Sequence, residues 1–245
     1  MEISKTFSYY LYRRFWLGVD LLFPPRCIGC GRVGVRFCEN CLAGVSRVVP
    51  PICKRCGDAV PEGEILCRQC LKYSPAFAQA RSWALMEDSV RQAIHRLKYR
   101  RDIALADILA VQLVALVQSL DWPVEAVAAV PLGAQRQRDR GYNQAALLAF
   151  PLAMGIGVPW IRRALVRIRE TRSQVGLNAF ARRRNVAGAF CVRDKRALEG
   201  VTVLLVDDVM TTGATLDAAA RALLIGGAAR VYAITVARAS LHHGL

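Results

Sequence analysis

Eight of the nine cysteines in the 245-residue chain fall in four Cys-x2-Cys pairs: Cys27/Cys30, Cys38/Cys41, Cys53/Cys56 and Cys67/Cys70. Such a turn puts two thiolates on one face of a tight knuckle, each able to reach a shared tetrahedral Zn2+ at about 2.3 Å. The eight thiolates suffice for two Zn2+ ions with four ligands each. Redox Cys-x2-Cys motifs occur singly, and a secreted disulfide scaffold does not crowd its cysteines into identical short pairs. The spacing leaves open which pairs share a metal. Consecutive pairing (Cys27, Cys30, Cys38, Cys41, then Cys53, Cys56, Cys67, Cys70) is the default, and cross-braced pairing is the alternative. The segment is poor in aliphatic residues, so metal is expected to supply its folding energy. Cys191 stands apart and is expected to be a buried apolar residue.

A second chemical motif lies near the other end, in Val203-Leu-Leu-Val-Asp207-Asp208-Val-Met-Thr211-Thr212-Gly213-Ala-Thr215. An apolar strand would end in two adjacent carboxylates, and a turn of small residues would then open a helix. The free N–H groups and hydroxyls of such a turn form a cradle for a phosphate. The carboxylates would repel that phosphate. They suit sugar hydroxyls or a divalent cation. Together the pieces describe a sugar phosphate, with ribose hydroxyls on Asp207 and Asp208 and a 5′-phosphate on Thr211, Thr212, Gly213 and Thr215.

The charge is uneven. The net charge is +15, which predicts attraction to polyanions without fixing the fold. Residues 160–200 carry 11 basic and three acidic side chains, and residues 131–141 carry Arg136, Arg138 and Arg140 against Asp139. Both segments read as loops. The composition, 54% hydrophobic and 22% charged, excludes a disordered chain. No uncharged apolar run of 18 residues is present, which argues against a membrane span. Arg13 and Arg14 interrupt any signal-peptide centre; residues 1–25 read instead as an amphipathic helix. With reduced thiolates as ligands, the expected compartment is the cytoplasm.

The elements that must position these residues follow from apolar periodicity. Strands are expected at 78–86, 126–130, 201–206 and 230–236. Helices are expected at 89–99, 103–117, 144–154 and 215–224, with Asn143 capping the third. Strands alternating with helices of this length predict an α/β fold with a parallel sheet and helices on both faces. A linker is read at 74–77, dividing the chain into 1–74 and 75–245. His95 reads as a surface or packing residue, and Trp83, Trp122 and Trp160 as core residues.

At Asp207–Thr215 the chain resembles the type I phosphoribosyltransferases, whose phosphoribosyl-pyrophosphate (PRPP) motif this run matches. The wider layout is similar to the ComF family. It comprises the four Cys-x2-Cys pairs, Pro131-Leu-Gly, Arg140-Gly141-Tyr142-Asn143-Gln144, Gln174-x2-Leu177, and Arg182-x2-Asn185. The resemblance implies a small zinc-ribbon domain before a type I phosphoribosyltransferase-like domain. It implies PRPP binding with Mg2+, and pyrophosphate held by Arg140 and Gly141. It also implies a closing flap with Arg172, Gln174, Arg182 and Asn185, and a link to DNA uptake in competence. Asp207 and Asp208 would be the catalytic pair; the acceptor is not read. The alternative is a protein that binds single-stranded DNA or docks a helicase-like partner, with the PRPP site regulatory or vestigial. Arginine-rich loops serve either purpose, since each neutralised DNA phosphate adds salt-dependent affinity.

Overall fold

The computed structural model describes residues 18, 20, 24–171 and 178–239. The expected helix over 1–25, flap residues Arg172 and Gln174, and the His242-His243 tail lie outside these residues, the first but for its end. Short helices α1 (Glu39–Ala43) and α2 (Arg68–Tyr73) begin directly after Cys38 and Cys67. Four parallel strands form the sheet: β1 (Gln79–Leu85), β2 (Ala126–Ala129), β5 (Thr202–Met210) and β6 (Arg230–Arg238). They lie in the order β1-β6-β5-β2. Helices α3 (Asp88–Tyr99) and α4 (Leu105–Gln118) join β1 to β2, and α8 (Ala214–Ile225) joins β5 to β6. Between β2 and β5 come α5 (Ala134–Arg140), α6 (Gln144–Gly155), an antiparallel pair β3 (Leu165–Arg167) and β4 (Phe190–Val192), and α7 (Ala179–Val186).

The apolar run of β5 is buried on both faces, as parallel strands between helices require. Leu204 and Val206 pack with α4 and α6, whereas Val203 and Leu205 pack with α8. Side chains alternate across a strand, so α6 and α8 lie on opposite faces. The chain therefore leaves β2 towards one face and β5 towards the other. This divergence opens a crevice at the carboxyl ends of these neighbouring strands, where open α/β sheets bind ligands.

All eight expected strands and helices are present. Three features differ from expectation. Residues 134–140 form a helix, because all but Asp139 of Ala-Gln-Arg-Gln-Arg-Asp-Arg are good helix formers and Gly141, at φ +82°, closes it. The chain over 165–192 contains β3, α7 and β4, elements too short to leave a periodicity. Finally, β5 runs past its expected end at Val206, through Asp207 and Asp208 to Met210, so the strand carries the carboxylates right up to the turn.

The cysteine-rich segment packs on both sheet faces. Cys27, Ile28, Phe37 and Val45 join the core with Trp83, Val90 and Ile94, and Cys53, Cys56, Val60 and Cys70 join the opposite core with Phe77 and Met210. Residues 74–77, read as a linker, are held in place. Phe77 is buried and the Ala76 N–H donates to Asp217 Oδ1 at 2.7 Å. Trp83 is buried and Trp122 and Trp160 pack partly buried against the core. His95 is exposed beside Tyr99. Cys191, expected to be buried, is half-buried in the middle of the short strand β4.

Candidate metal centres and ligand cleft

The cysteines pair consecutively. Cys27, Cys30, Cys38 and Cys41 form one cluster and Cys53, Cys56, Cys67 and Cys70 the other, with the Sγ atoms of each within 4.8 Å of one another. The Cys30–Cys38 and Cys56–Cys67 Sγ separations are 3.7 and 3.6 Å. A tetrahedron with Zn–S bonds of about 2.3 Å has an edge of about 3.8 Å, whereas a disulfide brings sulfurs to about 2.05 Å. The donor sets therefore fit Zn2+ in closed, structural coordination. Backbone N–H groups of Cys38 and Cys56 donate to Cys27 and Cys53 Sγ at 3.4 and 3.5 Å, stabilising thiolate character. Gly29 fits where a side chain would not, because a Cβ there would lie 2.7 Å from Cys41 Sγ.

The crevice between β2 and β5 is a cleft of about 430 Å3. Asp207, Asp208, Thr211, Gly213 and Thr215 line it from β5, the following turn and α8, and Arg136, Arg140, Arg167 and Arg182 line it from the segment between β2 and β5. Gly213 caps α8 at φ +73°, with its Cβ position 2.8 Å from the Met210 methyl. Thr212 is buried outside the lining, and its hydroxyl accepts the Ala214 N–H at 3.4 Å. It caps the turn itself. Thr211 points to the cleft, where its hydroxyl accepts from Arg182 Nη1 at 2.6 Å.

The two carboxylates have different surroundings. Asp208 is 4% exposed, and its Oδ2 lies 2.8 Å from Lys98 Nζ of α3. Asp207 faces the cleft, and its Oδ1 accepts the Asp208 N–H at 2.9 Å. Desolvation and then the neighbouring Asp208 charge push the Asp207 carboxyl above its ordinary range; Lys98 and Arg167 pull the other way. A carboxylate raised in this way favours a cation or a hydroxyl donor beside it.

Arg140 Nη1 donates to Gln144 Oε1 at 2.8 Å, and the guanidinium stands over the Tyr99 ring. This fixes its place at the cleft wall. Gly141 ends α5 outside the lining, and Asn185 is likewise outside it, its carbonyl accepting from Arg169. Lys98 and Gln144 also line the cleft and are not among the expected site residues. Lys98 sits in an ordinary amphipathic helix pattern, and only its position opposite the Asp207-Asp208 strand end gives it a role.

The fold and site define an α/β phosphoribosyltransferase-like domain joined to two zinc-binding knuckles of four cysteines each. Residues 18–71 match the family described as double zinc ribbon domain, and residues 144–241 match that described as phosphoribosyl transferase domain. The chain is 32% identical to the DNA utilization protein YhgH of Salmonella typhi over 200 residues, 80% of this chain and 87% of that one. It is 32% identical to competence protein F of Haemophilus influenzae over 228 residues, 89% of this chain and 98% of that one. With competence protein ComFC of Bacillus subtilis it shares 28% identity, covering 91% of this chain and 89% of that one. The chain belongs to the ComF family.

Proposed function

We propose that the cleft binds PRPP with Mg2+, and that the protein is a phosphoribosyltransferase-family member serving DNA uptake or utilisation. One observation carries the reading. Two carboxylates, a hydroxyl-rich helix-opening turn and four arginines converge on one cleft at the carboxyl ends of β2 and β5. In this reading Asp207 takes the ribose hydroxyls and faces the metal, while Lys98 holds Asp208. Thr211, Gly213 and Thr215 take the 5′-phosphate, with Thr212 shaping the turn. Arg140, Gly141 and Arg167 would meet the pyrophosphate, and Arg182 with Asn185, Arg172 and Gln174 would belong to the closing flap.

The Asp207-Asp208 oxygens are hard donors of the kind Mg2+ takes. The ion would neutralise the phosphate oxygens of the bound ligand. If transfer occurs, positive charge grows at the ribose C1 while pyrophosphate departs with negative charge. Fixed guanidinium groups then stabilise the leaving group, and closure of the arginine-rich segment excludes water. The competence link rests on the names of the relatives. A cytoplasmic location rests on reduced thiolates; no helix among the described residues is long and apolar enough to cross a membrane.

Single-stranded DNA is a second ligand favoured by one observation. On α7, Phe180 is 58% exposed with Arg184 beside its ring, a pair suited to a base and its phosphate. The proposals separate by heat unfolding with added ligands. Protection by PRPP and Mg2+ exceeding that from pyrophosphate or ribose 5-phosphate alone supports the sugar-phosphate site. Absent protection at millimolar PRPP, with steeply salt-dependent binding of single-stranded DNA, supports the second. Loss of a helicase-like partner on disrupting the zinc knuckles would be read separately, because those knuckles are also part of the core.

A further inference from the structure

One buried guanidinium joins the second zinc cluster to the cleft. Arg238, the last residue of β6, is 2% exposed. Its Nε donates to Asp58 Oδ1 at 2.8 Å and its Nη1 to the Cys56 carbonyl at 2.7 Å. Its Nη2 lies 3.8 Å from Cys56 Sγ. Four thiolates on one Zn2+ carry a net charge of about −2, so a guanidinium at a ligand sulfur neutralises charge that the protein interior would otherwise disfavour. Asp58 in turn keeps the guanidinium oriented. This is the arrangement by which groups behind the ligands tune a metal site.

The same guanidinium touches the turn from the other side. Arg238 is the register partner of Met210, the last residue of β5, and its Nη1 lies 3.5 Å from Met210 Sδ. The Ala239 N–H donates to the Met210 carbonyl at 2.9 Å. The Met210 methyl fills the space beside Gly213, where the turn enters α8, and buried Phe77 closes the same space. Cys56, Arg238, Met210 and Gly213 thus form a packed series from metal ligand to turn. The first cluster packs in the opposite core, against α3.

We propose that Arg238 is a positioning residue that ties the zinc site of Cys53, Cys56, Cys67 and Cys70 to the 211–215 turn, so that this metal, and not the one at Cys27–Cys41, holds the turn in shape. The inference concerns the turn's rigidity and goes beyond the PRPP reading without resting on it.

The test uses the full zinc-loaded chain with no ligand added. Three variants are compared with the parent: Arg238→Lys, Asp58→Asn and Cys30→Ser. Zinc release to a chromogenic chelator and amide hydrogen exchange of peptides covering 210–216 are measured. Arg238→Lys is expected to speed zinc loss from one of the two sites by about tenfold and to raise exchange at 210–216. Asp58→Asn, which leaves the guanidinium in place, is expected to do both to a smaller extent, and it carries the test if Arg238→Lys does not fold. Cys30→Ser is expected to weaken the other metal and leave 210–216 as protected as in the parent. Unchanged protection at 210–216 in both Arg238→Lys and Asp58→Asn would overturn the proposal. So would equal loosening of the turn by Cys30→Ser. Because no sugar phosphate is present, failure here is distinct from failure to bind PRPP.

Discussion

Lys98 of α3 and Asp208 of β5 meet at 2.8 Å in the cleft, with the carboxylate side chain 6% exposed. Removing one member of a buried pair leaves the other charge unsolvated and costs about 3 kcal/mol. Lys98→Met is expected to lower stability by about that amount in urea unfolding. The double variant Lys98→Met/Asp208→Asn is expected to recover most of it, because the two effects are not additive for groups in contact. A double variant as unstable as the sum of its parts would show that the pair does not interact.

Asp207 gives a pH dependence of definite sign. Its carboxyl is pushed up to about 7 in the folded chain, above its ordinary value of 3.8, by desolvation and by Asp208. The folded state then holds this proton more tightly than the unfolded state. Its contribution to stability is present at low pH and lost as pH rises from about 4 through 7. Asp207→Asn is expected to flatten that loss, stabilising the protein at pH 8 relative to the parent and leaving the two alike near pH 4. Parallel stability curves for parent and variant would contradict the assignment.

The zinc knuckles are expected to unfold with the rest. Ile28 is buried in one core together with Trp83, Val90 and Ile94. Ile28→Ala should cost about 2–4 kcal/mol in a single transition followed by near-ultraviolet circular dichroism. A separate early transition for the head would show that it folds independently.

Metal content makes a sharper count. Two Zn2+ per chain are expected by elemental analysis, and Cys191→Ser is expected to leave the content at two, because Cys191 lies outside both clusters. A fall below two in that variant would mean that Cys191 is a ligand.

Arg182 donates to the Thr211 hydroxyl at 2.6 Å, bringing a charged side chain of α7 to the turn. Arg182→Gln is expected to weaken PRPP binding about tenfold, in line with the loss of one charge-assisted hydrogen bond, without lowering zinc content. An unchanged affinity would remove α7 from the binding site.

The strands and helices of the sheet are legible in the sequence because apolar periodicity is a local signal, and each of these segments buries a face. The two four-cysteine sets are legible from spacing, although only the fold decides their consecutive pairing. Residues 134–140 read as a loop because their arginines suggest an anion site more strongly than their helix propensity suggests a helix. Lys98 and Arg238 are invisible in the sequence for another reason. Lys98 meets a carboxylate 110 residues away along the chain and Arg238 a cysteine 182 residues away, contacts that only strand order and helix crossing create. Gly141 and Asn185 carry the family pattern, yet they stand outside the lining of the cleft.

Calorimetric titration of PRPP with Mg2+ into the zinc-loaded chain, beside an Asp207→Ala/Asp208→Ala variant that retains its zinc, tests the central claim most directly. The account predicts saturable binding to the parent and its loss in the variant. No heat from the parent at millimolar PRPP, or equal binding by both proteins, would contradict it.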